Sequence, residues 1–553
     1  MLEIGLLRRI YRAPELFQLL ATFGITLVME DLVILAWGPS DLVGRRAPGF
    51  RGAVEILGQE VPAYDLFLIV LGPFVLALLW MLFRRTRWGI LVRAATQDRD
   101  MVAALGVNQK WLFTSVFALG SFLAGLGGAL NIPREAVTHT MDLGIIVEVF
   151  VVVVIGGLGS ILGAFIAAVL VSELNAFGIL IFPKISLILV FLVMAVVLII
   201  RPHGLLGKAE AVARSAIGVT LRPWRAFTPA EKLVLAGLTG IAALLPLFAG
   251  NYALSVGAEI FIFVLFAASL HFLMGPGGLN SFGHAAYFGL GSYGAALAVK
   301  WLGWPMPAAI ASGAVLGFFG AALFGWFSVR LTGVYLAMLT LAFAQIVWSI
   351  AFQWVEVTGG DNGILGIWPA SLVASPGRFY WLALAFAALG FCVLRILIFS
   401  PFGYGLRALR DSTLRAEATG INRFRTQWTA FMIAGTAASA AGGLFAFLKG
   451  SVFPDNLSIP LSIDALVMVL LGGVETTTGA VAGAIVYKAL AIWLASVTDY
   501  SKLVLGAGIV GLVVLFPRGI VGSIAGMLRP GSSNEEPDAP VPAALQPHLG
   551  AGE

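Results

Sequence analysis

The segment FGYGLRALRDSTLRAEATGIN, residues 402–422, is a short basic stretch set between two long apolar runs. A second copy, WGILVRAATQDRDMVAALGVN, occupies residues 88–108. Without gaps, Gly89 falls on Gly403, Arg93 on Arg407, Ala94 on Ala408, Ala104 on Ala418, Gly106 on Gly420 and Asn108 on Asn422. Each copy has a polar start, Asp98 and Asp100 in one and Asp411 and Ser412 in the other, of the kind that caps a helix. Each continues as an Ala-rich turn or two and ends on a Gly, where a helix C-terminus favours a left-handed residue. The spacing predicts a small helix held between membrane spans in each half. An ordinary basic loop obeying the positive-inside rule would explain one copy. It does not explain two copies at equivalent places.

Composition sets the class. Of 553 residues, 59% are hydrophobic and 11% charged, and the mean hydropathy is +0.96. Soluble chains carry roughly 25% charged residues. Apolar runs of about 20 residues recur from end to end, the pattern of an all-α polytopic membrane protein. The net charge of +5 is no nucleic-acid footprint, because Lys and Arg cluster in short loops between spans. The single cysteine, Cys392, excludes an internal disulfide and a thiol metal cluster. Arg8, Arg9 and Arg12 precede an apolar run too long for a cleavable signal peptide, and no A-x-A site follows.

The first half offers spans at 16–37, 64–83 and 111–131. A run at 143–155 is broken by Gly156-Gly157-Leu158-Gly159 and resumes at 161–180, and 185–200 closes the half. The second offers 233–249, 254–274, 285–301, 306–329, 334–354, 379–399, 427–448, 463–471, 480–494 and 502–516. About 16 transmembrane or half-membrane helices are expected in two parallel-repeat halves. The domains are then 1–207, a cytoplasmic linker at 208–232, a second membrane domain at 233–528 and a Pro-, Ala- and acid-rich tail at 529–553, expected to be disordered.

The repeat extends beyond the basic segments at an offset of about 315. Gly156-Gly157 matches Gly472-Gly473, Pro202-His203-Gly204 matches Pro517-Arg518-Gly519, and Thr22 lines up with Thr340. The first half has no counterpart of roughly 233–329.

No Walker A pattern occurs and no H-E-x-x-H, and the five histidines lack metal-ligand spacing. The chain moves something or anchors something. Two stretches resemble sites. Gly275–His284 is dense in Gly and Pro, and broken backbone at membrane depth is tolerated only where it is buried in protein or lines a wet cavity. Asn280, Ser281 and His284 are its candidate solute-path residues, with a tight reverse turn and a hydrogen-bonded structural His as the plain alternatives. Thr358-Gly359-Gly360-Asp361-Asn362-Gly363 is expected outside, where Thr358, Asp361 and Asn362 would gate a pore or meet a delivery protein, or form a plain polar loop. Glu148 aligns with Asp464, each starting a Gly-Gly-broken span. A helix-capping role and a pore-facing role both suit them.

Taken together, GPGGLNSFGHAAYFGLGSYGAA, TGGDNGI, GYGLRALRDSTLRAEATGIN, AGGLFAF and LVMVLLGGVETTTGAVAGA closely resemble the LivM-type permease of branched-chain amino-acid ABC importers. LLATFGITLVMEDLVILAWG, GILVRAATQDRDMVAALGVN and FVVVVIGGLGSILGAFIAA resemble its LivH-type partner. The resemblance implies a fusion of two inner-membrane permeases with no cofactor of its own, working with two cytoplasmic ATPases that carry ATP-Mg and with a periplasmic solute-binding protein. It places the ATPase-coupling helices at about Asp98–Gly106 and Ser412–Gly420, with Arg99, Arg415 and Glu417 among their residues. Urea and short-chain amide importers share this permease family. Of other classes, a secondary transporter or channel also uses repeats and broken helices. Such carriers usually have inverted repeats and an ionisable relay, whereas this repeat is parallel. A membrane scaffold is disfavoured by the Gly-rich, broken spans. The first half departs from the LivH pattern by lacking several early spans and their Gly-rich motif. An upstream start or a separate small polypeptide is expected to supply them.

Overall fold

The computed structural model describes residues 2–8, 15–45, 49–56, 58–181, 183, 185–207, 229–516 and 519–527. The tail from 529, Pro517-Arg518 and most of the expected linker (208–228) lie outside the described residues.

The chain is helical almost throughout. The first half runs through α1 (Glu15–Trp37), α2 (Ala63–Arg85), the short α3 (Arg87–Gln97) and α4 (Arg99–Ala104), α5 (Gln109–Asn131), α6 (Met141–Gly156), α7 (Ile161–Ile181) and α8 (Ser186–Ile200). The second half begins with α9 (Pro229–Leu244), α10 (Asn251–Met274), α11 (Ala285–Leu302) and α12 (Met306–Ser328). It then repeats the first: α13 (Gly333–Gln353), α14 (Pro376–Ile398), α15 (Pro401–Asp411), α16 (Thr413–Ala418), α17 (Arg423–Lys449), α18 (Ile459–Gly472), α19 (Gly479–Val497) and α20 (Ser501–Leu515). Eleven helices among the described residues are long and apolar enough to cross a membrane, and four shorter apolar ones accompany them. The break expected at each Gly-Gly is what leaves α6 and α18 short.

The only strands among the described residues form two small antiparallel pairs. β1 (Ala53–Ile56) pairs with β2 (Gln59–Pro62), and β3 (Ile364–Leu365) with β4 (Ser451–Val452). β3 and β4 tie the loop after α13 to the end of α17. In the first half a single bridge, Leu42 to Val137, joins the loop after α1 to the segment after α5. The repeat is thus preserved in the loops of that face as well as in the helices.

Each Gly-Gly turn exists because another strand of backbone lies across it. Gly157 has φ +95° and Gly473 has φ +111°. Leu205 and Leu206 donate to the carbonyls of Ile155 and Gly156 at 2.7 and 3.1 Å. A side chain on Gly157 would strike the backbone of Gly207 and His203, and one on Gly519 would strike Gly473. The repeated X-Gly motifs at 204 and 519 therefore close over the repeated Gly-Gly turns.

The halves meet through a reciprocal interface. α1 packs on α20 and α18 of the other half, and its counterpart α13 packs on α8 and α6. The same patch is used from both sides, as in an isologous dimer interface. The α1–α20 side is polar at one end. Lys502 Nζ lies 2.5 Å from Glu30 Oε1, and Asp31 accepts the Leu503 N–H at 2.7 Å, at the N-terminus of α20. Glu30 and Asp31 are buried acids inside an apolar span, and this contact accounts for both. The α13–α8 side holds Ser349 in place of Asp31 and Trp348 in place of Glu30.

The principal core lies in the second half, around α10. That helix is buried along nearly its whole length from Ile262 to Met274 and packs on α14, α17, α18 and α19.

Candidate functional site

Two basic segments protrude from the same end of the two halves, built by one local recipe. Thr86 Oγ1 accepts the Gly89 N–H at 3.1 Å to start α3, and Ser400 Oγ accepts the Gly403 N–H at 3.4 Å to start α15. Asp98 and Ser412 then break the helix in extended conformation, at φ −148° and −161°. α4 and α16 follow, each six residues long. Gly106 and Gly420 end them at φ +80° and +88°. Each is followed by a reach-back bond, Val107 N–H to Val102 O at 3.4 Å and Ile421 N–H to Ala416 O at 3.1 Å. This is the Schellman ending that an L-residue with a side chain resists. Asn108 and Asn422 restart the long helices α5 and α17 by accepting the N–H of Trp111 and Arg425.

The expected coupling residues Asp98, Arg99, Gly106, Arg415, Glu417 and Gly420 are exposed, and Ser412 is half-buried. Met101, Leu105 and Leu414 are exposed apolar residues on the same short helices, Leu414 at 82%. Sequence reasoning passed over these three because it looked for charge. Arg99 turns back on its own segment, with Nε donating to Gln109 Oε1 at 3.0 Å and the guanidinium 4.6 Å from the Phe113 ring centre. Arg415 makes no such contact among the described residues. Asp98 caps α4 by accepting the Met101 N–H at 2.9 Å, whereas the Ser412 side chain makes no cap bond. Beside the second segment opens a cleft of about 440 Å³, lined in part by Arg330, Glu417, Asn422 and Arg423.

The second segment is bolted to the Gly-rich turn. Arg410 Nη1 donates to the Gly275 carbonyl at 2.8 Å, and its side chain covers Gly278. Arg407 is buried, donates to the Gly403 and Ile398 carbonyls and lies 4.2 Å over the Tyr404 ring. From the same region His271 Nε2 donates to the Val474 carbonyl at 2.9 Å, and Arg395 to Thr477 Oγ1 at 2.7 Å. α15, the Gly275–His284 turn and the Gly472–Gly479 turn thus form one connected body. In the sequence Arg407 figures only as the repeat match of Arg93 and Arg410 as one more basic residue between spans, so neither inward contact could be read there.

The turn itself is held deep in the protein. Ser281 and His284 are fully buried and Asn280 half-buried. His284 Nε2 lies 2.8 Å from Ser269 Oγ, and its ring stacks on Phe266. Phe282 N–H donates to Thr340 Oγ1, and Ala285 N–H to Ser462 Oγ. Ser281 Oγ and His284 Nδ1 have no hydrogen-bond partner among the described residues. Buried polar atoms without partners cost about 1–3 kcal/mol each, so both need a reason to be there.

The loop after α13 is a separate feature. Thr358 is buried, and its hydroxyl lies 2.6 and 2.7 Å from the Ala351 and Trp354 carbonyls, which makes it a local lock. Asp361 and Asn362 are exposed. The structure does not bring this loop together with the Asn280–His284 turn. Thr340 contacts the turn, and 18 residues of α13 and its continuation separate it from Thr358, about 27 Å at the helical rise. Glu148 is exposed in the middle of α6, while Asp464 accepts the Tyr487 hydroxyl at 2.5 Å.

Two parallel halves joined by a reciprocal interface, broken at repeated Gly-Gly turns and carrying paired protrusions at one end, define a multi-pass membrane permease. The family described as branched-chain amino acid transport system / permease component matches residues 4–198 and 252–513, so the chain belongs to it. It is 28% identical over 325 residues to the high-affinity branched-chain amino acid transport system permease protein LivM of Escherichia coli, spanning 53% of this chain and 76% of that protein. It is 26% identical over 202 residues to the permease protein BraD of Pseudomonas aeruginosa, spanning 35% and 66%. It is 22% identical over 209 residues to the permease protein LivH of Salmonella typhimurium, spanning 37% and 68%. The two halves therefore correspond to LivH- and LivM-type permeases within one chain, a multi-pass protein of the inner membrane. No solved structure matches it.

Proposed function

We propose that the chain is the translocation subunit of an ATP-driven importer for branched-chain or related amino acids. Residues 1–207 and 233–528 act as its two permease domains, joined by the cytoplasmic linker at 208–232. The chain performs no hydrolysis. Two cytoplasmic ATPases, which hold the ATP-Mg, engage the paired segments Asp98–Gly106 and Ser412–Gly420, and a periplasmic binding protein delivers solute. The single observation that carries this reading is the repeated protruding segment, built twice with the same extended break and the same left-handed Gly. Exposed Met101, Leu105 and Leu414 suit insertion into clefts of a partner. Leucine, isoleucine and valine are the expected solutes because the relatives are named for branched-chain amino acids.

Movement of the second segment passes through Arg410 to Gly275 and so to Ser281 and His284. The unpartnered Ser281 Oγ and His284 Nδ1 support a place for that turn on the solute path. Asp361 and Asn362 mark its outer mouth, with Thr358 holding the loop in shape.

Reconstitution with and without the ATPases tests the reading. Radiolabelled leucine should accumulate only with ATPases and ATP, and full-rate uptake without them overturns it. For the path, Cys392, which is exposed, is first replaced by Ser. Labelling of Ser281→Cys and Asp361→Cys should change with nucleotide state and with added leucine. Indifference at both positions removes them from the path.

A further inference from the structure

The cleft of about 440 Å³ beside the second segment opens where the end of α12 meets the start of α17, and its lining includes Arg330, Glu417, Asn422, Arg423 and Phe424. Arg330 is held there by rings and not by an acid. Its guanidinium lies 5.4 Å from the Trp326 ring centre and 5.9 Å from that of Phe424, and its side chain makes no hydrogen bond or ion pair among the described residues. The rings are themselves fixed. Trp326 meets Phe424 and Trp428 edge-on, with 4.7 and 5.1 Å between ring centres, and Trp428 Nε1 donates to the Ala322 carbonyl at 2.8 Å. Stacking on rings positions a guanidinium and leaves its fork of N–H donors open, a fork that matches phosphate oxygens. Arg423 spends only Nε, on Gln427 Oε1 at 3.3 Å. Glu417 lines the same cleft, yet it forms no ion pair with either arginine among the described residues. Two guanidinium groups against one carboxylate leave the lining one positive charge in excess.

A second, independent observation runs along α12. Val315, Phe319, Leu323 and Trp326 are exposed, and their spacing of four, four and three puts them on one face of the helix. The face through Gly313, Gly317, Ala321 and Gly325 is the buried one, and α12 packs on α11 and α17. The apolar row is therefore not a packing surface within the chain. It ends one turn before Arg330. From Val315 to Trp326 it is about 16 Å long at the helical rise, against about 15 Å for the hydrocarbon depth of one leaflet. A tryptophan at the end of such a row sits at headgroup level. The first half does not repeat the box, because Gln109, Lys110 and Thr114 stand where Arg423, Phe424 and Trp428 stand.

We propose that this cleft binds the headgroup of an anionic membrane phospholipid of the phosphatidylglycerol class. Arg330 donates its fork to the phosphodiester oxygens, and Arg423 adds a second donor. A headgroup hydroxyl donates to Glu417, and one acyl chain follows the exposed row of α12. A basic pocket between membrane helices at headgroup level suits an anionic lipid, whereas a zwitterionic headgroup leaves the excess positive charge unmatched. The lining joins α12 to the turn between α16 and α17, so a bound headgroup ties the second segment to the membrane surface. Binding needs neither solute nor ATPases, so its failure is separate from a failure of the transport assignment.

Native mass spectrometry of the purified full chain, titrated with dioleoylphosphatidylglycerol, reads the affinity of the tightest-bound lipid. Arg330→Gln and Arg423→Gln should each weaken it at least fivefold, the worth of one basic residue near an anionic surface. Arg85→Gln removes one charge at the foot of the first segment, away from the cleft, and should change the affinity less than twofold. A loss below fivefold at either cleft position, or an equal loss from Arg85→Gln, overturns the proposal. Dioleoylphosphatidylethanolamine should bind at least fivefold more weakly than dioleoylphosphatidylglycerol, and equal affinity overturns it. Millimolar inorganic phosphate should leave the lipid bound. Displacement by phosphate would assign the cleft to a free anion, and displacement by the ATPase subunits would assign it to a protein partner; either result overturns the lipid site. Should Arg330→Gln lower the melting temperature of the purified chain, Arg423→Gln decides.

Discussion

The two repeated basic segments share their first caps, their extended breaks and their turns but differ in what holds them. The second is anchored inward through buried Arg407 and through Arg410 on the Gly275 carbonyl. In the first, Arg93 is exposed and Arg99 bonds to Gln109 within its own segment. Local chemistry makes the shape of the protrusion, so the shape repeats. Long-range contacts tie the second segment to the Gly-rich turn, and under the proposed function they are the route by which its movement would pass inward.

Breaking that difference should give the largest effect. Arg410→Ala removes a charged hydrogen bond to a carbonyl, worth about 1.5–3 kcal/mol. If that bond couples ATPase movement to the turn, leucine uptake should fall roughly 10- to 100-fold at that energy. ATP hydrolysis by the assembled complex should persist. Arg99→Ala, three residues past Thr96, the repeat match of Arg410, should reduce uptake by less than about fivefold, a bound set by the about 0–1 kcal/mol typical of exposed polar pairs. Equal losses from the two substitutions, measured as uptake per ATP hydrolysed, would mean that transmission does not run through Gly275.

The turns should behave alike where the anchors do not. Gly106→Val and Gly420→Val each force a β-branched residue to φ near +80° to +90°, costing about 1–2 kcal/mol. Neither position has a heavy atom within 4 Å of an added Cβ, so the cost is conformational and not steric. Both variants should insert and fold, lose ATPase binding to a similar extent, and leave leucine exchange without ATP unaffected. Co-purification of the ATPases checks this. A loss at one site alone would show that only one segment docks.

Much of this was legible in the sequence, for a physical reason. Apolar runs of membrane length and left-handed Gly positions are local constraints, so the spans, the basic helices and their Gly endings could be read directly. The parallel repeat needed only the recurrence of Gly-Gly and X-Gly motifs. Three things could not be read, the first two because they join residues far apart in the chain, up to 472 positions in one case and 135 in the other, and the third because a short polar loop can turn any of its side chains in or out. The first is the reciprocal packing of α1 on α20 and α13 on α8, which explains Glu30 and Asp31. The second is the Arg410–Gly275 contact. The third is that Thr358 bonds inward to Ala351 and Trp354 while Asp361 and Asn362 remain exposed.

The finest test concerns the breaks between the paired short helices. Asp98 and Ser412 occupy the same position with the same extended backbone, and both residue types favour helix N-caps. Only Asp98 makes the bond, to the Met101 N–H. The same backbone bonds hold both breaks, Ser412 N–H to Ala408 O and Ala416 N–H to Ser412 O at 3.0 Å, and Asp98 N–H to Ala94 O and Val102 N–H to Asp98 O at 3.0 and 3.4 Å, so the Asp98 side chain is the difference between them. Asp98→Ala should therefore destabilise the first segment by about 1 kcal/mol, since it removes a working cap. Ser412→Ala should cost no more than about 0.5 kcal/mol, the range of substitutions that break no cap, core contact or buried bond. Hydrogen exchange at Met101 and Arg415 reads each short helix separately. Faster exchange at Met101 in the first variant, with Arg415 unchanged in the second, is the expected pair of results. Equal acceleration at both sites would show that Ser412 does cap α16, and that the two breaks are chemically the same after all.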